Sequence, residues 1–165
     1  MKLANQVTEP VVDRVDKTPK EHVDDFGFTD IEVIDFCNEV LHESQTPLAL
    51  GAIAFDPLDH ERPGVQTVYR FRVTGFVNPG NPARVFLRNM TDGWELLPSV
   101  TLSTAGVTTE ETTLFRGTSV GNIDDGEHIY ECRVELTSPE APGEFAQVLS
   151  ATLVIEHGPP SGGGT

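Results

Sequence analysis

Within the stretch from His128 to Leu136 the side chains alternate, with Tyr130, Cys132, Val134 and Leu136 on one side and Glu131, Arg133 and Glu135 on the other. A period of two is what an extended strand requires when one face meets a core and the other meets water. The same pattern recurs over residues 68–78, where Tyr69, Phe71 and Val73 alternate with Arg70 and Arg72. A helix would spread both sets around its circumference, so these stretches read as half-buried strands of antiparallel sheet.

Shorter runs rich in β-branched and aromatic residues fill the space around them, separated by Gly, Pro, Asn and Asp. Residues 48–55 read as a strand that stops at Asp56-Pro57, where proline cannot donate to a ladder. Residues 84–90 place Val85 and Leu87 on the core face, and Asp92-Gly93 supplies a tight turn from which residues 94–97 pair back. Residues 100–104 and 112–116 add two short strands, and residues 146–156 close the set with Leu149, Ala151, Leu153 and Ile155 turned inward. No helical pattern lies between them, which excludes a doubly wound α/β fold. The expectation is an all-β, two-sheet antiparallel β-sandwich of jelly-roll or immunoglobulin-like topology over residues 46–157.

Residues 1–45 read as an extended N-terminal arm. Up to about residue 25 there is little apolar material and Pro10 and Pro19 interrupt any regular element. Residues 26–43 admit a short helix, through the Thr29 and Glu32 capping pattern, or a strand, through Ile31 and Val33. Residues 158–165, with Pro159, Pro160 and three successive glycines, read as a flexible tail.

With 26 acidic against 11 basic side chains, the formal net charge is −15. That disfavours nucleic acid and anionic membrane as partners. The lysines are Lys2, Lys17 and Lys20, and the rest of the chain uses arginine, which fits either a GC-rich genome or a salty habitat. The first residues turn polar at once and no apolar run approaches membrane-spanning length, so the expected site of synthesis is a cytoplasm. Cys37 and Cys132 have no metal-ligand spacing and read as buried thiols.

Residues that could carry chemistry are scattered. His22, His42, His60, His128 and His157 stand singly. Asp56, Asp59, His60 and Glu61 share one loop, and Asp124, Asp125 and Glu127 another, but neither has the ligand order of a calcium loop. No Gly-x-Ser-x-Gly elbow or phosphate-cradling loop is present. The expectation is therefore a protein that is not an enzyme, with no catalytic residue, cofactor or metal. Trp94, beside a turn, and Phe86, placed opposite Val85 and Leu87 by alternation, are the candidates for stacking on a ligand such as a sugar.

Val85-Phe86-Leu87-Arg88-Asn89-Met90-Thr91-Asp92-Gly93 and Gly126-Glu127-His128-Ile129-Tyr130-Glu131-Cys132-Arg133-Val134-Glu135-Leu136 resemble strand and turn segments of β-sandwich structural proteins from the virions of tailed viruses. In those domains a strand runs into an Asn-x-Thr-Asp turn, and a later Gly-x-x-x-Tyr-Glu strand precedes a last apolar strand. The resemblance covers about residues 67–156. It implies a capsid decoration, head-fibre or tail component located in the virion, with a major capsid or tail protein and copies of itself as partners. It brings no catalytic residue. The alternative is a carbohydrate- or receptor-binding sandwich module.

Overall fold

The computed structural model describes residues 30–37, 39–78, 81–139 and 141–160, which form ten strands and one 3-10 turn. The strands are β1 (Asp30–Cys37), β2 (Val40–His42), β3 (Leu48–Phe55), β4 (Val65–Asn78), β5 (Ala83–Asn89), β6 (Trp94–Glu95), β7 (Val100–Leu102), β8 (Thr108–Leu114), β9 (His128–Leu136) and β10 (Phe145–Pro160). The turn is Pro57–Asp59, where the Asp56 carboxylate accepts from the Leu58 amide.

Every strand pairing is antiparallel, and the pairings make two sheets. One has the order β1-β10-β4-β8, with β2 also on β10; the other has the order β3-β9-β5-β6, with β7 also on β5. β1 and β2 follow one another along the same edge of β10, and β6 and β7 along the same edge of β5. Each pair is therefore one interrupted strand, which leaves eight in chain order. In that count the first pairs with the eighth, the second with the seventh, the third with the sixth and the fourth with the fifth. This is one long hairpin rolled into two sheets, the jelly-roll arrangement and not the immunoglobulin one.

β1 pairs with β10 from Asp30↔His157 to Cys37↔Ala151, and β2 continues from Val40↔Val148. Among the described residues, Asp30–Cys37 and Val40–His42 are thus edge strands of the sandwich, the strand alternative for residues 26–43, and the sheet includes residues before 46. Ile31, Val33 and Ile34 favour the extended state, and the free edge of β10 offers ladder partners that an isolated helix would not have. At the other end β10 runs to Pro160, so residues 158–160 are strand and not tail. Beyond His157 the described residues pair β10 with β4 alone, so among them Pro159 and Pro160 interrupt no second ladder. Residues 1–29 and 161–165 lie outside the described residues, and with them the expected arm up to residue 25 and the last part of the tail.

Alternation builds the core. Phe71, Val73 and Val77 of β4 meet Val85 and Leu87 of β5 and Cys132, Val134 and Leu136 of β9 between the sheets, all fully or almost fully buried. β10 departs from simple alternation: its register slips between Val148 and Ser150, so Val148 and Ala151 both face inward while Leu149 is only partly buried. A bulge of this kind shifts the phase of every later side chain by one.

Candidate functional site

The expected stacking pair does not form a platform. Trp94 stands opposite Asn89 in the ladder, packs against the core, and has its Nε1 buried without a hydrogen-bond partner among the described residues. Phe86 lies on the other face of the same sheet and is 4% exposed, a correction to the expected exposure. Its ring is covered by the Arg84 guanidinium, 4.0 Å from the ring centre, and that guanidinium is held by Glu95 and, at 2.8 Å, by Glu135. An outward aromatic on a charged sheet face is thus roofed by the long side chain beside it.

The acidic loop after β3 disperses. Asp56 caps the 3-10 turn. His60 stacks on Phe55 at 4.9 Å, and Glu61 accepts from the Tyr69 hydroxyl at 2.7 Å and pairs with Arg116 at 2.7 Å. Burial, reinforced by Glu61, keeps the Tyr69 phenol protonated far above its ordinary range. Asp56, Asp59, His60 and Glu61 therefore do not converge on one point.

Two groupings that no sequence spacing announces do form. At the β1 edge, Glu32 Oε2 is 2.7 Å from Nε2 of His157, and Glu32 Oε1 is 3.0 Å from Nδ1 of His60. His157 is 3% exposed, with its Nδ1 3.2 Å from the Thr67 hydroxyl. At the same end of the sandwich, where His128 stands opposite the Phe55 on which His60 stacks, Asp92 Oδ2 is 3.0 Å from His128 Nε2, and one ligand atom each from Asp92, Asp124 and His128 lie within 4.8 Å of one another. The turn after β5, the loop before β9 and the first residue of β9 supply these three, from positions too far apart in sequence for a motif to join them.

Among the strands described, β1 has an open apolar outward row, with Ile31 58% and Val33 54% exposed. Among the described residues β1 has a strand on one side only. The other outward rows of its sheet are largely occupied by ion pairs, Arg70 with Glu156 at 2.5 Å and Arg72 with Glu111 at 2.6 Å.

No protein-family model matches the chain, and no curated protein matches it. Among solved structures it is similar to that of infectious bursal disease virus Gx strain, with a TM-score of 0.47 and 9% identity over 83% of this chain and 34% of the other. The VP2 subviral particle of the same virus gives 0.48 and 10% identity over 82% and 34%. This chain thus spans about a third of the length of those viral chains. The CBM36-1 domain of a multidomain xylanase from the hindgut metagenome of Trinervitermes trinervoides gives 0.39 and 12% identity over 76% of this chain and 96% of the other.

Proposed function

We propose that the chain is a non-catalytic structural component of a virus particle, a capsid decoration or another accessory head or tail part, that binds the particle through its sandwich and its N-terminal residues. The observation that carries the adhesive mode is β1. Edge strands are usually blunted by charge, proline or a covering segment, whereas β1 turns Ile31 and Val33 outward with only Asp35 beside them in the row. An edge that no strand among the described residues pairs with, carrying an apolar row, suits strand addition to a neighbouring chain, in which main-chain pairing supplies the affinity. The virion setting rests on the resemblance of residues 85–93 and 126–136, and on a jelly-roll topology that viral shells share with lectins, an analogy of fold. The partners are then the major capsid or tail protein and copies of this chain, without nucleic acid or membrane. The competing carbohydrate- or receptor-binding module loses its stacking platform to the burial of Phe86 and the inward side of Trp94.

Mass spectrometry of purified virus particles should find the chain at a fixed ratio to the shell protein; its absence from particles ends the virion reading. Ile31→Lys with Val33→Lys should weaken attachment of the folded protein at least tenfold, as should deletion of residues 1–25, each corresponding to about 1.4 kcal/mol. Equal attachment of the double variant and the parent would move the docking surface away from β1.

A further inference from the structure

We infer that Asp92, Asp124 and His128 form a binding site for one borderline divalent metal ion of the Zn2+ class, stapling the turn after β5 to the loop before β9. The imidazole is already posed for it. His128 Nδ1 is 2.9 Å from the Gly126 carbonyl, and a carbonyl only accepts, so Nδ1 carries a hydrogen and Nε2 is the ring nitrogen left to take a proton or a metal ion. That nitrogen is 3.0 Å from Asp92 Oδ2. Two lone pairs at this distance need a positive centre between them, a proton or a metal ion. A metal-binding histidine whose other ring nitrogen donates to a backbone carbonyl is the usual arrangement for fixing tautomer and ring plane.

The Asp92 carboxylate and the Asp124 backbone are positioned by groups outside the triad, and Asp124 Oδ1 accepts the Asp125 amide at 3.1 Å. Asn89, fully buried, donates from its amide nitrogen to Asp92 Oδ2 at 2.9 Å, while its oxygen accepts the amides of Thr91 and Asp92 at 2.9 and 3.0 Å. The Asp124 amide donates to the buried Tyr130 hydroxyl at 3.2 Å, and the Thr91 hydroxyl accepts the Ile129 amide at 3.0 Å, which ties the turn to β9. Bonds of about 2.0–2.2 Å to nitrogen and oxygen bring tetrahedral donors to about 3.4 Å apart. Asp92 and His128 stand inside that spacing, and a rotation of the half-exposed Asp124 carboxylate closes the remainder. The donor set of one imidazole and two carboxylates selects the metal class, since Ca2+ and Mg2+ take oxygen ligands, and it leaves a fourth position open for water or a partner's side chain.

The test is calorimetric titration of the chelator-treated full chain with Zn2+, with Ca2+ as comparison and thermal melting to verify folding. The expected result is saturable binding of one Zn2+ per chain, a melting temperature raised by Zn2+, and affinity at least about tenfold weaker in Asp124→Asn and in His128→Gln. Asp124→Asn keeps the backbone bond to Tyr130, so it stays informative if His128→Gln proves unstable. Unsaturable binding, unchanged affinity in a folded Asp124→Asn protein, or Ca2+ binding as tightly as Zn2+ would each overturn the assignment.

Discussion

Glu32 Oε2 lies 2.7 Å from His157 Nε2, and this contact fastens the edge strand β1 to the central strand β10 at the end of their ladder. The hydrogen bond from His157, followed by the one from His60, holds the Glu32 carboxyl below its ordinary range against the opposing effect of burial. A carboxyl lowered by folding stabilises the native state above its unfolded pKa, and that contribution disappears as pH falls through the folded value. The loss therefore begins as pH drops below about 5. Glu32 is 37% exposed, so the effect is modest. Denaturant titrations at about pH 5 and pH 3 should show a smaller decline for Glu32→Gln than for the parent; parallel declines would remove Glu32 from the acid response.

Gly51 of β3 leaves room for β1. A Cβ at this position would stand 1.9 Å from the Phe36 carbonyl oxygen, a backbone atom that cannot swing aside. Phe36 is itself buried and packs edge-on against Phe71 with ring centres 6.1 Å apart. Gly51→Ala should then cost about 1–3 kcal/mol, as overpacking does, and expose β1 to proteolysis. Gly106→Ala, where an added Cβ meets nothing within 4 Å, should be neutral and serves as the control. A Gly51→Ala melting temperature equal to that of the control would contradict the packing described.

Strand identity was legible wherever one face is apolar and the other charged, as in β4 and β9, because each side chain there reports its own side of the sheet. The topology was narrowed to two candidates and no further, since pairing partners are set by contacts between segments distant in sequence. β1 was ambiguous because its outward residues, Ile31 and Val33, are as apolar as inward Ile34 and Phe36, so no alternation marks the strand. Phe86 misled for the converse reason: alternation placed it outward correctly, but exposure depended on Arg84, two residues away, lying over its ring. The grouping of Asp92 with Asp124 and His128 had no local signature at all, as the turn and the loop meet only after β5 pairs with β9.

Arg84 binds Glu95 and Glu135 while covering Phe86. Its removal as Arg84→Ala leaves two carboxylates without their shared cation and opens an aromatic ring to water. The expected cost is about 1–2 kcal/mol, from a partly buried ion-pair network together with the cation–π contact. Arg84→Lys should recover less than half of it, because an ammonium supplies charge without the planar fork that serves both glutamates and the ring at once. Chemical denaturation of both variants checks this, and a lysine variant as stable as the parent would reduce the role of Arg84 to charge alone.

The surplus of carboxylates sets the response to salt. Arg70, Arg72, Arg84, Arg116 and Arg133 are already paired with glutamate or aspartate, so the net charge of −15 is carried by acids in excess of their counter-charges. Salt acts on both populations with opposite signs. It weakens the exposed pairs, each worth about 0–1 kcal/mol, and it screens the long-range repulsion among the surplus acids as the Debye length shrinks from about 30 Å at 0.01 M to about 3 Å at 1 M. The pairs are short contacts, 2.5–2.8 Å where they bind best, and so lose less to screening than repulsions spread over the whole surface. Repulsion should therefore be the larger loss, and the melting temperature should rise by about 3–8 °C between dilute and molar sodium chloride, corresponding to a gain of about 1–2 kcal/mol. Chloride is the anion to use, because sulfate stabilises folded proteins by exclusion from their surfaces whatever their charge. An unchanged or lower melting temperature in molar chloride would show that the ion pairs outweigh the surplus, and would remove the salty-habitat explanation for the scarcity of lysine.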